Sequence, residues 1–522
     1  MTVLRARTLQ YVLGVGFSAF VVLQLLRRFC GGTRGGEDED DDDDDDDPTT
    51  RSLDSMQALR RKRRLYRLEK ENESRESLSS SFSSSFGHTP AAASSSTAAA
   101  WTALGLEQPL VIATVGLPAR GKSFISKMLI RYLHWTGFEC EVFNVGSKRR
   151  NIGLQSADSS FFDMKNETAK QIREQMAMEV QDEMYAWLHE SASKRRVAIF
   201  DATNTTQHRR QALANRARRE NVYLLFVESI CDDQLVLRRN YELKLQNEDY
   251  KSMDRSKALE DFLARVVAYE RVYETIIDSE DSANISYIKL INVGQKVITR
   301  NCSGYLPSQI SFYLQNIHIN PRKIYLTLPA ESDRRDADSG EDTGSITAEG
   351  RVFTLNLVKF IQAEQEAAEA GMGREILVLT GTSKEQAETV THLRILYSVY
   401  CTQLLNELRG GDLHGLSKDE IKKRYPIEYE RRVRDKLNYR YPGAGESYLD
   451  VIERVRPIIV ELERQRKSVV LVCHPAVLRT IYAYFMGCPL ADLPFIPLKR
   501  HIVYELEVGA FGCSIKGLDV AD

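Results

Sequence analysis

The segment Gly116-Leu-Pro-Ala-Arg-Gly-Lys-Ser123 fits the spacing GxxxxGK[ST], which suits it to a nucleoside triphosphate. Gly116 and Gly121 let the backbone turn until its N–H groups converge on phosphate oxygens. Lys122 can then reach the β- and γ-phosphates, and the Ser123 hydroxyl can bind Mg²⁺. The whole run Gly116, Leu117, Pro118, Ala119, Arg120, Gly121, Lys122 and Ser123 is therefore a candidate ATP site. Asp201 ends the apolar run 197–200, VAIF. A carboxylate there is a second candidate ligand for Mg²⁺; the alternative is an N-cap acid for the following helix. Basic groups recur at Lys148-Arg149-Arg150, Arg173 and Arg209-Arg210. Arginine grips phosphate through two parallel hydrogen bonds, so the set suits an acceptor that already carries phosphate. Any one of them alone reads equally well as a solvated surface charge.

These residues need particular elements behind them. Leu110–Val115, LVIATV, is a short apolar and partly β-branched run, the pattern of a buried strand. Phe124–Trp135 places Ile125, Met128, Leu129, Tyr132 and Leu133 at helical spacing. The loop thus sits between a strand and a helix, with the helix N-terminus adding a favourable dipole for anions. Val197–Phe200 predicts a second strand, continued by the polar turn Ala202-Thr203-Asn204-Thr205-Thr206.

Four segments together, GLPARGKS, FNVG-x-x-RR (Phe143–Arg150), FDATNTT (Phe200–Thr206) and ES-I-CDD (Glu228–Asp233), resemble the 6-phosphofructo-2-kinase/fructose-2,6-bisphosphatase family. The resemblance runs from about Leu110 to near the C-terminus. It implies an α/β chain: a P-loop kinase domain with a parallel sheet, followed by a histidine-phosphatase-like α/β domain. It further implies transfer of the γ-phosphate of ATP, with Mg²⁺, to the 2-hydroxyl of fructose 6-phosphate. The implied sugar-phosphate contacts are an arginine of the pair Arg149-Arg150, then Arg173, Thr203 or its neighbour Thr205, Arg210, Arg265 and Tyr269. Lys244 matches a lysine that acts on the ATP phosphates, in a segment one residue shorter than the family pattern. Lys122 and Asp201 complete the implied catalytic set, and Cys231 matches an active-site position where packing is the simpler role. The family is commonly homodimeric.

The second half departs from the family. The strand beginning at Pro321 should lead into Arg-His-Gly-Glu, whose histidine takes the phosphoryl group. Here Leu328 stands for the arginine, Pro329 for the histidine and Ala330 for the glycine, and only Glu331 remains. Proline has no side-chain nucleophile, so no phosphohistidine forms there. Glu385 stands where a further arginine is expected and would repel a phosphate. Glu407, Arg432, Lys436, Gly445-Glu446-Ser447 and His474 persist, with His474 expected as a retained pocket or core histidine. The expectation is an active kinase beside an inactive phosphatase. The alternatives are a bifunctional enzyme with weak phosphatase activity, and a membrane-tethered sugar-phosphate sensor without turnover.

Composition sets outer bounds. A net charge of −2 over 522 residues gives no global basis for nucleic-acid binding. Eight cysteines without a CxxC pair read as reduced thiols rather than a zinc site or disulfide framework. Residues 1–36 contain no acid, and Tyr11–Leu26 is an almost unbroken apolar run flanked by Arg5, Arg7, Arg27 and Arg28. That run is slightly short of the roughly 20 residues of a spanning helix, but arginines snorkel. Residues 1–30 are expected as a membrane anchor, an organelle-targeting segment or a solvated tail. Residues 31–105 are expected as a linker, with the acidic block Glu37–Asp47, a basic cluster at 60–64 and a Ser/Ala-rich stretch at 77–100. The kinase domain is expected over 106–320 and the phosphatase-like domain over 321–522, both facing the cytosol.

Overall fold

The computed structural model describes residues 108–520, except 154–158, 163–165, 191–195, 248, 251–252, 278–279, 281–284, 334–343, 370–374 and 510–511. The apolar run 11–26 and the linker expected over 31–105 lie outside the described residues. Among the described residues, no helix is long and apolar enough to cross a membrane.

The first unit runs β1 (Leu110–Val115), α1 (Lys122–Trp135), β2 (Glu139–Asn144), α2 (Val145–Asn151), α3 (Glu167–His189), β3 (Arg196–Asp201), α4 (Gln207–Arg219), β4 (Tyr223–Ile230), α5 (Gln234–Leu245), α6 (Arg255–Glu270), β5 (Ser286–Ile291), β6 (Lys296–Arg300) and α7 (Tyr305–Asn316). Its sheet has the order β2-β3-β1-β4-β5-β6. All neighbours pair in parallel except β5 and β6. Every residue of central β1 is buried, and the two-residue period of a strand divides them between two cores. Leu110 and Ile112 join Leu129, Leu133 and Leu225 on one face. Val111, Ala113 and Val115 join Met184, Phe200 and Phe226 on the other.

The second unit runs β7 (Arg322–Thr327), α8 (Ala348–Glu369), β8 (Ile376–Thr380), α9 (Lys384–Thr389), α10 (Leu393–Leu396), β9 (Ser398–Cys401), α11 (Lys418–Arg424), α12 (Pro426–Arg434), α13 (Tyr448–Arg464), β10 (Ser468–Val472), α14 (Pro475–Met486), β11 (Ile502–Gly509) and β12 (Gly512–Asp519). The sheet order is β12-β11-β7-β10-β8-β9. Strands β7, β10, β8 and β9 are parallel, and β11 is antiparallel to both β7 and β12. Helix α13 starts on a capping box between Ser447 and Asp450. Helix α14 starts with Pro475 in its first turn and stops at Gly487, in the left-handed region at φ 62°, the usual proline-first, glycine-last asymmetry.

The two units share an apolar core. Residues of α1 and α7 lie in one buried cluster with residues of α13 and α14. Within it Tyr132 stacks on Tyr313 at 4.2 Å and Trp135 meets the Tyr484 ring edge-on at 5.5 Å.

Candidate active site

The loop after β1 needs its glycines for two distinct reasons. At Gly116 (φ +138°) a Cβ would stand 2.5 Å from the Ser229 carbonyl oxygen, so no side chain fits. Gly121 (φ +90°) caps α1 in a conformation that side-chain-bearing residues avoid. The loop wraps Lys122, which is 9% exposed. Its Nζ donates to the carbonyls of Gly116 at 2.8 Å and Leu117 at 2.6 Å. Burial lowers the lysine pKa to about 7; Asp201 opposes this shift, while Lys244, Arg120 and Arg265 add to it.

Asp201 ends β3 and is buried. It accepts from Asn144 Nδ2 at 2.6 Å, Thr114 Oγ1 at 3.2 Å and Ser123 Oγ at 3.4 Å. The N-cap alternative for Asp201 falls away, because Thr206 caps α4 by accepting from the Arg209 N–H at 3.3 Å. A hydroxyl and a carboxylate side by side, with no thiolate or imidazole near them in this hydrogen-bond set, are the hard oxygen donors that Mg²⁺ prefers.

A cavity of about 1270 Å³ opens over these groups. Pro118, Ala119, Gly121, Lys122 and Ser123 line it from the loop, and Asp201, Thr203 and Thr205 from the end of β3 and the following turn. Arg149, Arg150, Arg173, Lys244, Arg265 and Tyr269 line it as well. Lys244 thus reaches the cavity despite the shortened segment, and burial lowers its pKa. Arg149 pairs with Asp249 at 2.5 Å. Phe162 lies under both Arg149 and Arg265, at 5.5 and 3.7 Å.

Arg210 is a correction. It does not line the cavity; it is 1% exposed and paired with Glu280. Its Nη1 also donates to the carbonyls of Asn204 at 3.2 Å and Glu274 at 2.9 Å. Neighbouring Arg209 lines the cavity instead and donates to Asn204 Oδ1 at 3.2 Å. Successive helical residues point about 100° apart, so of an adjacent pair on α4 one faces the cavity and the other the core.

Three loop residues also stand outside the cavity lining. Gly116 and Leu117 serve through their carbonyls on Lys122. Arg120 turns away to Tyr241 at 3.1 Å and Glu270 at 3.3 Å. It borders a narrower, largely apolar slot of about 50 Å³, with Val236, Asn240, Leu290, Leu314 and Cys231. Burial pushes the Cys231 thiol up, which keeps it protonated and suits packing rather than attack.

Sequence reasoning did not single out Thr114, Asn144 or Asn204. Asn204 holds the turn in place: it is fully buried, has a positive φ of 40°, and donates to the Thr114 carbonyl at 2.8 Å. Asn144 lay inside the FNVG segment, and an asparagine at a strand end was the available signal.

In the second unit, Leu328, Pro329 and Ala330 leave the C-terminal end of β7 and are buried. Glu331 follows, partly exposed, and its carbonyl accepts from the Thr347 N–H at 2.8 Å. His474 leaves neighbouring β10 and is 5% exposed. Its Nε2 lies 3.1 Å from Glu385 Oε1 and 3.2 Å from Ser383 Oγ, and its Nδ1 lies 3.8 Å from Glu407 Oε2. Glu385 also accepts from Ser332 Oγ at 2.6 Å. Carboxylates thus face His474 from two sides. Arg432 is held by the Tyr441 hydroxyl at 2.7 Å, and Lys436 by the Pro494 carbonyl at 2.7 Å. Burial, with Arg479, Arg432 and Lys418 nearby, lowers the Lys436 pKa to about 8.

Residues 98–321 match the 6-phosphofructo-2-kinase family, and residues 377–520 match the histidine phosphatase superfamily (branch 1). The chain is 37% identical over 412 residues to 6-phosphofructo-2-kinase/fructose-2,6-bisphosphatase 3 of Homo sapiens, covering 78% of this chain and 76% of that protein. The chain belongs to the 6-phosphofructo-2-kinase/fructose-2,6-bisphosphatase family. Another member, 6-phosphofructo-2-kinase 1 of Saccharomyces cerevisiae, is 38% identical over 429 residues, 78% of this chain and 51% of that one. Among solved structures, the alpha-ribazole phosphatase from Shigella flexneri is similar to part of this family member, with TM-score 0.33 and 18% identity over 38% of this chain and 96% of that one. The family's two α/β sheet domains, kinase then histidine-phosphatase fold, are the two units described above.

Proposed function

We propose that this chain transfers the terminal phosphoryl group of ATP to the 2-hydroxyl of fructose 6-phosphate, and that its second domain does not hydrolyse the product. The carrying observation is one cavity that joins Lys122, Ser123 and Asp201 to the cationic wall Arg149, Arg150, Arg173, Arg209, Lys244 and Arg265. A triphosphate on the loop and a sugar phosphate on the arginines meet inside it.

Each residue then has a task. The loop N–H groups and the N-terminus of α1 hold the phosphates. Lys122 exchanges two backbone carbonyls for phosphate oxygens, whose charge restores its proton. Ser123 and Asp201 would hold Mg²⁺, which when bound neutralises phosphoryl charge. The arginines bind the acceptor's own phosphate, and the cavity walls bring hydroxyl and phosphoryl group together, the main contribution to such reactions. The largely apolar slot beside Arg120 and Asn240 borders the loop and would take the purine on widening.

The second domain lacks a nucleophile at Pro329 and has carboxylates around His474, an arrangement that repels a phosphate. The homodimer remains part of this reading, as does the N-terminal anchor with both domains in the cytosol. The test uses the full chain with Mg·ATP and fructose 6-phosphate. Fructose 2,6-bisphosphate should accumulate; no product refutes the kinase. Phosphate release from fructose 2,6-bisphosphate at a rate like the kinase refutes the silent phosphatase.

A further inference from the structure

Glu463 lies near the end of α13, in the second unit, and its side chain is fully buried. It touches nothing that lines the cavity, yet it is tied to the helix that begins at Lys122. Arg131 of α1 places Nη2 2.5 Å from Glu463 Oε1. Arg322 of β7 holds Oε2 at 2.7 Å, and the Tyr484 hydroxyl of α14 donates to Oε1 at 2.7 Å. With its proton on Glu463, that hydroxyl accepts from the Tyr313 hydroxyl at 2.9 Å, and the Tyr313 oxygen lies 3.3 Å from the Met128 carbonyl. The Arg131 guanidinium lies 4.6 Å from the centre of the Tyr484 ring. One turn further along α1, Trp135 Nε1 donates to the Thr480 carbonyl at 2.9 Å.

Purely apolar contacts would join the two units at least as strongly, because burying charges costs solvation that their attraction barely repays. What an ion pair with directed hydrogen bonds adds is a single geometry: the helix can neither slide nor roll without stranding a buried charge. Arg131 is nine residues from Lys122, or about 14 Å along a rigid helix. A shift of its C-terminal half therefore moves the N-terminus that faces the phosphates.

We propose that Glu463 is a positioning residue for the kinase site: through Arg131 it fixes α1, and so sets where Lys122 and Ser123 meet the nucleotide. The second domain then serves the first by holding its phosphate-binding helix, whatever its own pocket does. For turnover the inference rests on the kinase reading; for nucleotide binding it stands alone.

The test compares full-chain wild type with Glu463→Gln, Arg131→Met and Glu463→Asp. Calorimetry measures binding of Mg·AMP-PNP, and steady-state assays give both KM values. Glu463→Gln and Arg131→Met should weaken the nucleotide about tenfold, leaving the fructose 6-phosphate KM within about twofold, and Glu463→Asp should recover part of the loss. Val455→Ala, fully buried in the same helix about two turns before Glu463 and outside the hydrogen-bonded set, supplies a variant for comparison at equal loss of melting temperature. Nucleotide binding within twofold of wild type in both network variants overturns the inference. So does an equal loss in Val455→Ala, which would mark the effect as general destabilisation. Should Glu463→Gln and Arg131→Met not fold, Tyr484→Phe carries the test, with about threefold weaker binding expected from loss of its hydroxyl's bonds to Glu463 and Tyr313 and unchanged binding refuting it. A wild type that binds Mg·AMP-PNP but makes no product overturns the kinase reading and leaves this one to the binding data.

Discussion

Replacing Lys122 with methionine should abolish phosphoryl transfer and, at neutral pH, make the protein more stable. The lysine pKa falls from 10.5 in water to about 7 in the folded chain, chiefly through burial. At pH 7 the unfolded chain carries a full proton there and the folded chain about half of one. Folding at pH 7 therefore sheds about half a proton and holds the rest in a weakened site, at a cost of about 4 kcal/mol. At pH 10 the unfolded lysine is itself close to its pKa, and the cost falls below about 1 kcal/mol. Methionine avoids that cost but forfeits the two hydrogen bonds to Gly116 and Leu117, worth about 1 kcal/mol each. The balance favours Lys122→Met by about 2 kcal/mol at pH 7 and disfavours it by about 1 kcal/mol at pH 10. The sign follows from linkage: wherever the unfolded state binds more protons, wild-type stability rises with pH, here between about 7 and 10.5. Differential scanning calorimetry of both proteins from pH 6 to 10 should show the variant about 4–8 °C higher at pH 7. The curves should cross before pH 10. A variant that is less stable at pH 7, or a difference that does not change with pH, would refute a buried, deprotonation-prone lysine.

Three further outcomes follow from the site and the chain's N-terminus. Arg209→Ala should raise the fructose 6-phosphate KM by roughly ten- to a hundredfold with little change in melting temperature. Arg210→Ala should do the reverse, destabilising by about 3–5 kcal/mol because Glu280 is left buried and unpaired; denaturant titration beside steady-state kinetics separates the two, and equal KM effects would argue against the assignment. The apolar run 11–26 should carry the full chain into the membrane fraction on cell fractionation, and deletion of residues 1–36 should release it; a full-length protein that stays soluble refutes the anchor.

The phosphate loop was legible because its chemistry is local. Gly116, Lys122 and Ser123 lie within eight consecutive residues, and the flanking apolar runs became β1 and α1 within two residues of the expected bounds. The acceptor wall was legible only as a list, since its arginines come from α2, α3, α4 and α6 and converge through the fold. The choice between Arg209 and Arg210 could not be made from composition: both are arginines, and the start of α4 at Gln207 sets which one turns inward. Asn204 was legible only as a member of the polar turn 202–206, since its importance lies in a positive φ and a hydrogen bond to a strand 90 residues away.

Residues that match a family's catalytic segments need not be kept for catalysis. Gly445-Glu446-Ser447 is one of the segments that carries the likeness of the second domain to a working phosphatase. Its side chains are nevertheless occupied with holding the fold. Glu446 accepts from the Arg409 N–H at 3.0 Å and from Arg454 Nε at 3.0 Å, and Ser447 caps α13. Arg454 in turn gathers the carbonyls of Leu404 at 2.8 Å and Asn406 at 3.1 Å, one residue from Glu407. These contacts would be needed whether or not a phosphate ever entered the pocket. The same α13 that Ser447 begins carries Glu463 near its far end, against α1 of the kinase. The positions where the resemblance implies Arg-His-Gly, Leu328-Pro329-Ala330, are buried at the end of β7 and take no part in these hydrogen bonds, while Leu328 packs in the apolar cluster that the two units share.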